Sequence, residues 1–289
     1  MYNQVAANKR NTVFLILGFI VFVGLISAIF AWYYSNWFIS LWTIGCAAIY
    51  AIFQYYAASS LAVLATGAKA IEKKQNPKLY NAVENIAITT GLPMPKVYII
   101  DDPAPNAFAS GRNPDCAIVA ATTGLLEIMD KEELTAVMAH EMSHVKNYDI
   151  RVSMIAFGLS CVISFLADMA LRLLYFSDSR DRDSGPFTLL AMLVAAIFAP
   201  IAASVATMAV SRQREFLADA GSVQITRNPD AMINALLKLE AHARPLKRQN
   251  PSVAPMFISS PFAKGSIVNL FSTHPSIEQR VKRIQNAFK

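Results

Sequence analysis

The chain has 289 residues, of which 54% are hydrophobic and 16% are charged, and its formal net charge at pH 7 is +6. A soluble globular protein carries about 25% charged residues, so an ordinary soluble domain is disfavoured. The positive charge forms no basic patch interleaved with aromatic residues, so we expect no nucleic-acid partner. The three cysteines have no metal-like or disulfide-like spacing, which suits a reducing compartment.

A long uncharged run occupies the N-terminal part of the chain. No Asp, Glu, Lys or Arg occurs over residues 11–68, whereas one membrane-spanning helix needs only about 20 apolar residues. We therefore predict two spans, Val13–Ala31 and Phe38–Ala58, joined by the polar-aromatic segment 32–37, which is typical of a bilayer interface. The first apolar run is too long for a cleavable signal peptide. Basic residues flank both ends of this hairpin, so the positive-inside rule places both ends in the cytoplasm.

Residues 69–151 are predicted to form a soluble unit. A helix begins at Asn76-Pro77 and ends before the Gly- and Pro-rich segment 91–95. Lys96–Ile100 is β-branched and aromatic and predicts a strand, and Cys116–Ala120 predicts another. The helix that begins at Asn76-Pro77 carries four apolar residues on one face: Leu79, Val83, Ile86 and Ala87.

A second helix of this unit carries the chemical motif of the chain. Asp130, with Glu133 three residues later, resembles a capping box that opens the helix. Residues His140 and His144 are spaced i and i+4, so both imidazoles lie on one helix face and can bind one zinc ion, with Glu141 beside them as a base. Since the chain has only four histidines, this spacing is improbable as an accident. The alternative is two buried histidines satisfied by carboxylates.

Two further hydrophobic runs follow, at residues 152–176 and 187–210, and both are predicted to span the membrane. The segment 177–186 between them lacks a positive excess, which fits the outer side. The first of these runs contains Asp168 and Arg172, spaced so that they can pair. Because charges within a span are costly, the alternative is that this helix lies partly in the soluble portion.

The remaining residues, 211–289, are predicted to be soluble and mostly helical. A catalytic zinc needs a third protein ligand, and Glu215 and Asp219 are the strongest candidates. They are spaced i and i+4, so Glu215 can complete the site while Asp219 accepts the N–H of a ligand histidine. Alone, this spacing is a weak signal, and the alternative is a solvated helix face. A helix is predicted from Asn228, a loop over 244–271, and a basic amphipathic helix at the C-terminus.

Several motifs together resemble one family. They are His140-Glu141-Met142-Ser143-His144 followed by Asn147 and Asp149, then Arg214–Asp219, then Thr273-His274-Pro275. With them, nearly the whole chain closely resembles the HtpX family of membrane zinc metalloproteases, which are related more distantly to the Ste24-type prenyl-protein peptidases. The resemblance implies a mainly α membrane protein with a small β-sheet, a zincin-like (gluzincin) metallopeptidase domain and four transmembrane helices.

The resemblance also implies roles for individual residues. His140, His144 and Glu215 are implied to bind one zinc ion per subunit, Glu141 to act as the base, and Asp219 to orient a ligand histidine. Two matches leave alternatives open. Residues 106–109 (Asn106, Ala107, Phe108 and Ala109) resemble the family's substrate-binding edge strand or form a loop. His274 donates to the oxyanion, occupies the open zinc position, or makes only a structural contact, and His242 matches no motif and is interpreted as structural.

The expected function is that of a zinc metalloendopeptidase that cleaves misfolded or damaged membrane proteins in stress-linked quality control. Its expected partners are protein or peptide substrates and the lipid bilayer. We expect a multi-pass protein of the cell (inner) membrane with both termini and the catalytic domain in the cytoplasm. Four segments follow from this interpretation: a transmembrane hairpin (1–68), the first catalytic part (69–151), a second hydrophobic hairpin (152–210) and the second catalytic part (211–289).

Two alternatives are kept. A site-2-type intramembrane peptidase places its two histidines within a spanning helix, but charged residues flank residues 140–144 here. A non-enzymatic membrane scaffold would close its zinc site with a fourth ligand, and structural zinc sites usually use cysteine. No cysteine lies near these motifs in the sequence.

Overall fold

The computed structural model describes residues 2–33, 35–156, 158–159, 212–248, 256–259 and 275–288. Most of the second predicted hydrophobic hairpin, 152–210, therefore lies outside the described residues. The elements, in chain order, are α1 (Tyr2–Tyr33), α2 (Phe38–Thr66), β1 (Lys69–Ala70), α3 (Pro77–Thr90), β2 (Lys96–Ile100), β3 (Ala107–Ser110), β4 (Ile118–Thr122), α4 (Thr123–Ile128), α5 (Lys131–Lys146), α6 (Arg212–Thr226), α7 (Pro229–Ala241) and α8 (Ile277–Ala287). The described part is thus mostly helical with one small sheet, as predicted.

Helices α1 and α2 form an N-terminal hairpin with a large apolar surface. Among the described helices, the segment Val5–Leu25 of α1 is long and apolar enough to cross a membrane, and α2 passes the same test only if its halves Ser40–Ala57 and Ser59–Thr66, bent by 69°, count as one span. Of the four predicted spans, the first thus corresponds to a described helix that is long and apolar enough to cross a membrane, and the second does so only if the bent α2 counts as one span. Many large apolar side chains of the hairpin are exposed, among them Phe14, Leu17, Val21, Leu25, Leu41, Trp42, Ile49, Ile52 and Phe53.

The strands form one mixed sheet in the order β1-β2-β4-β3. Strands β2 and β4 are parallel, whereas β1 and β3 run antiparallel to their neighbours. The predicted strand Cys116–Ala120 begins two residues later than expected, because Pro114–Cys116 forms a 3₁₀ turn capped by the Asn113 side chain. Strand β3 lies at one edge of the sheet, so only one of its sides is paired with β4.

Within the described part of the chain, helix α5 packs against α3, α6, α7 and the strands β3 and β4. Its predicted capping box is present: the Asp130 side chain accepts from the amide of Glu133, and the Glu133 side chain accepts from the amide of Asp130. Such a cap contributes about 1 kcal/mol. Because the cap sets the first residue of α5, it also sets which faces of the helix the later residues occupy.

The C-terminal helices close over α5. Helix α7 begins as predicted, with the Asn228 side chain accepting from the amide of Ala231. Helix α8 packs against α6 and α7. Their buried apolar residues join the core beneath the sheet, which includes Leu79, Val83, Val97, Val119, Leu134, Val137, Met138, Met232, Leu236 and Ile284.

Candidate metal centre

The two histidines of α5 point towards one place. The Nε2 atoms of His140 and His144 are 3.2 Å apart, and their rings meet edge to face. His140 is fully buried and His144 is partly buried. Successive turns of one helix bring the rings together, as the four-residue spacing predicts.

Glu215 of α6 supplies the third donor. Its Oε2 lies 3.6 Å from His140 Nε2, and its Oε1 lies 3.6 Å from His144 Nε2. Three ligand atoms placed tetrahedrally at zinc's usual distance of about 2.0–2.1 Å would lie roughly 3.3 Å apart. His140, His144 and Glu215 therefore form a group that can hold a metal ion, with all three donor atoms within 4.8 Å of one another. The spacing and the donor chemistry fit zinc.

Each histidine also faces a carboxylate with its other ring nitrogen. His140 Nδ1 lies 2.9 Å from Asp219 Oδ1. His144 Nδ1 lies 3.0 Å from Asp149 Oδ2. Carboxylates in this position hold the ring orientation and keep Nε2 available for the metal. In the sequence, Asp149 stands within a motif that indicates no role for it.

Arg280 of α8 is a site residue that sequence reasoning missed. Its guanidinium donates from Nε to Asp219 Oδ2 at 2.9 Å and from Nη2 to Asp219 Oδ1 at 2.6 Å. It is almost fully buried, with 1% of its surface exposed. The sequence held a signal for it, because Arg280 falls on the apolar face of α8, between Ile277 and Ile284. A charged residue on a buried helix face requires a partner.

The charges around the site shift the pKa values of its residues. Burial disfavours the protonated form of His140, but its hydrogen bonds with Asp219 and Glu215 outweigh burial and raise its pKa to about 9. Burial also disfavours the charged form of Asp219, yet the charge and hydrogen bonds of Arg280 hold its pKa below the usual value. For Glu141, burial is the largest influence and raises its pKa, although the two histidines partly oppose it.

A cavity of about 30 Å³ opens at the histidines and Glu141. This volume is large enough for a water molecule. Glu141 is 2% exposed, and its Oε1 has no hydrogen-bond partner among the described residues. Burying a carboxylate oxygen without a hydrogen-bond partner costs folding free energy, so such an atom indicates a functional role or a bound water molecule. Glu141 is thus placed to accept a proton from a molecule in this cavity.

The lining of the cavity includes Ala109 of β3 and the residues Met256, Phe257 and Ile258. The structure makes 107–110 a strand and not a loop. The edge of β3 that faces away from β4 is paired with the segment 256–259: the amide of Ile258 donates to the carbonyl of Ala107 at 3.0 Å, and Phe108 forms an antiparallel bridge with Phe257. The Asn106 side chain donates to the Ser259 carbonyl at 3.0 Å.

Of the two remaining histidines, only His242 lies within the described residues. His274 lies outside the described residues, so its three proposed roles stay predictions. His242 caps α7 at its C-terminus, where its Nδ1 lies 3.0 Å from the carbonyl of Lys238. This position fits the structural interpretation.

Comparison with known proteins gives consistent matches. The model of peptidase family M48 matches residues 73–287. The chain is 50% identical over 285 residues to a protein named "Protease HtpX homolog" from Tropheryma whipplei (strain Twist). This alignment covers 99% of this chain and 98% of that protein. A protein of the same name from Ligilactobacillus salivarius (strain UCC118) is 43% identical over 296 residues, covering 99% of each chain.

Among solved structures, the crystal structure of Ste24p from S. mikatae aligns with a TM-score of 0.54 and 18% sequence identity, covering 98% of this chain and 67% of that chain. At this identity the likeness shows a shared fold.

Proposed function

This chain belongs to peptidase family M48 and, within it, to the HtpX family of membrane metalloproteases, and we propose that it is a zinc-dependent endopeptidase with His140, His144 and Glu215 as zinc ligands. The observation that carries the proposal is the convergence of these three donors beside the unpartnered Oε1 of Glu141, in the described part of the chain. These three residues would hold the ion and would leave room beside it for water or substrate, as in catalytic zinc sites.

The proposed reaction is hydrolysis of a peptide bond. When bound, zinc would polarise the scissile carbonyl and make a water molecule more acidic. Glu141 accepts a proton from the attacking water at Oε1 and returns it to the nitrogen of the leaving amine. Its raised pKa favours the second transfer, because a carboxylic acid must hold the proton before donating it. Asp219 and Asp149 keep His140 and His144 oriented throughout.

We propose that the substrate backbone binds along the edge of β3 at residues 106–109. Extended peptides add to exposed strand edges through main-chain hydrogen bonds, and Ala109 lines the cavity beside Glu141. The carbonyl of Ala107 already accepts from Ile258. A substrate strand that uses this carbonyl must therefore displace the segment 256–259, which runs antiparallel to β3 in the same place.

We propose that the protein is a multi-pass protein of the cell (inner) membrane, with four spans at or near 13–31, 38–58, 152–176 and 187–210, and with the catalytic parts and both termini in the cytoplasm. The exposed apolar side chains of α1 and α2 support the first two spans, since a surface of this kind is unusual in a soluble monomer. The proposed physiological substrates are misfolded or damaged membrane proteins, cleaved on their cytoplasmic parts in quality control.

The site-2-type alternative is not favoured. Helix α5 is 16 residues long and carries charged residues in its first and last turns, so it does not resemble a spanning helix. The scaffold alternative predicts bound zinc without hydrolysis, and the test below separates it from an enzyme.

The test uses the full chain purified in detergent, with zinc content measured by atomic absorption and cleavage of unfolded casein followed by peptide release. We expect one zinc ion per chain and casein cleavage in the wild type. Glu141→Gln should retain the zinc and lose cleavage by at least about 10²-fold, the scale of general acid–base catalysis. Glu127→Gln, an exposed carboxylate of α4, is the matched control and should retain both properties. Cleavage by Glu141→Gln at the wild-type rate would refute the proposed mechanism.

A further inference from the structure

We infer that Asn8, in the first turns of α1, is a positioning residue of the metal centre, acting through Asp149 on the zinc ligand His144. This inference rests on the proposed function. It assigns the N-terminal hairpin a part in the active site in addition to membrane anchoring.

The contacts form one continuous chain of hydrogen bonds. The Asn8 side-chain nitrogen donates to Asp149 Oδ1 at 2.7 Å and to the carbonyl of Asn147 at 2.8 Å. The other oxygen of the same carboxylate, Asp149 Oδ2, lies 3.0 Å from His144 Nδ1. Asp149 thus contacts Asn8 through one carboxylate oxygen and His144 through the other, and the two contacts together fix the orientation of the carboxylate.

An asparagine is well suited to this position. Its amide nitrogen carries two protons, and each is used by one of the two acceptors. The side chain is buried, with 4% of the residue exposed, so water cannot replace it without rearrangement. Thr12, one turn further along α1, donates to the Asn8 carbonyl at 2.9 Å and adds to the polar contacts of this turn.

The segment that Asn8 contacts is the tight turn after α5. The turn contains Tyr148, which has a positive φ of 62°, a strained conformation for a bulky residue. Lys9, next to Asn8, places its ammonium 4.7 Å from the centre of the Tyr148 ring. Two neighbouring residues of α1 therefore hold the turn that carries Asp149. Because Asp149 directly follows Tyr148, movement of the turn would move the carboxylate.

The expected consequence is a change in metal binding. Loss of a hydrogen-bond partner of a ligand histidine costs about 10- to 100-fold in metal affinity. Asn8 is one step further away, so we expect a smaller effect, about 3- to 10-fold, which lies below that range. The effect should depend on Asp149, because Asn8 donates to the carboxylate that in turn contacts His144.

The test compares Asn8→Ala with Asn11→Ala in the full chain in detergent. Asn11 lies on the same helix but is exposed, which makes it the matched control. The zinc dissociation constant is measured by competition with a chelator, and kcat and KM are measured on unfolded casein at saturating zinc. We expect Asn8→Ala to weaken zinc binding by about 3- to 10-fold and to lower kcat with little change in KM, while Asn11→Ala changes none of these.

A double-mutant cycle with Asp149→Ala separates positioning from helix packing. If Asn8 acts through Asp149, its substitution should change zinc affinity by less than about twofold once Asp149 is absent, since interacting residues are non-additive. An equal loss in both backgrounds, or no difference between Asn8→Ala and Asn11→Ala in the wild-type background, would overturn the inference. If Asn8→Ala does not fold, Asn8→Ser, which retains one donor, replaces it with the same criteria. A wild-type protein without zinc or cleavage would instead contradict the proposed function, and this inference with it.

Discussion

Gly221 of α6 lies against Ser143 of α5, so closely that a Cβ atom on Gly221 would come within 2.5 Å of Ser143 Oγ. Beside this contact, the Ser222 hydroxyl donates to the carbonyl of Ala136 at 2.6 Å. This close crossing of two helices brings Glu215, two turns earlier on α6, to the histidines. The third proposed zinc ligand is therefore positioned by a small residue outside the metal site.

The first prediction concerns this crossing. Gly221→Ala should force α6 away from α5, lower the stability by about 1–3 kcal/mol, and weaken zinc binding. Ser143→Gly in the same chain should restore part of both losses, because it removes the atoms that the new methyl group meets. Thermal unfolding and chelator competition measure the two effects. Gly45→Ala, where a Cβ meets nothing within 4 Å, is the control, and equal losses in both alanine variants would contradict the argument.

The second prediction concerns Arg280. Its removal leaves the buried carboxylate of Asp219 without its guanidinium partner, and breaking a buried ion pair costs about 3–5 kcal/mol. We expect Arg280→Ala to be strongly destabilised in chemical denaturation, and Arg280→Lys to recover only part of the loss because it cannot form the two-pronged contact. Arg283 on the same helix is exposed and packs over the Phe216 ring at 4.5 Å. A similar loss in Arg283→Ala would show that the effect belongs to the helix and not to the ion pair.

The third prediction is that zinc binding releases a proton. With a pKa of about 9, His140 is an imidazolium at pH 7 in the metal-free protein, whereas zinc binds the neutral ring. The apparent zinc affinity should therefore rise by about tenfold per pH unit between roughly pH 7 and pH 9, and level off above the pKa. Calorimetry in buffers with different ionisation enthalpies measures the released proton. A binding enthalpy that is the same in all buffers at pH 7 would contradict this assignment.

The fourth prediction tests whether the segment 256–259 must leave the edge of β3. Phe108 and Phe257 form a cross-strand pair beside the Ile258 to Ala107 hydrogen bond. The Cα atoms of such pairs are about 4.5 Å apart, which is within the range of a disulfide. Phe108→Cys with Phe257→Cys, in a chain whose three native cysteines are replaced, should lose casein cleavage when oxidised and regain it on reduction.

The two single-cysteine variants are the controls for this experiment, and neither should respond to oxidation in this way. Full cleavage by the oxidised double variant would show that the substrate does not need this edge. It would leave the assignment of the zinc ligands unaffected.

The fifth prediction concerns orientation in the membrane. Trp37 lies in the turn between α1 and α2 and is 67% exposed, whereas Cys116 is exposed on the catalytic part of the chain. A membrane-impermeant maleimide should label Trp37→Cys in intact cells, and Cys116 only after permeabilisation. The reporter chains lack the other native cysteines. Labelling of Cys116 in intact cells would reverse the proposed orientation.

Local features of the fold followed from the sequence with good accuracy. Helix α5 begins at its predicted capping box because the two hydrogen bonds of that box join residues only three apart. Strand β2 has its predicted bounds, since four consecutive β-branched and aromatic residues lie between clear breaks. Strand β1 was not predicted, because two residues are too few to show any periodicity, and it forms only through pairing with β2.

For the candidate site, the sequence by itself determined what helix periodicity can determine. The spacing within residues 140–144 places two imidazoles on one face of any helix that contains them, and motif resemblance then pointed to Glu215 and Asp219. Only the tertiary structure decided which other groups reach the centre. Asp149 turns back towards His144 after the end of α5, Arg280 arrives from the last helix, and Asn8 arrives from the first. Their positions depend on how distant helices pack, and packing between segments far apart in the chain has no short-range pattern in the sequence.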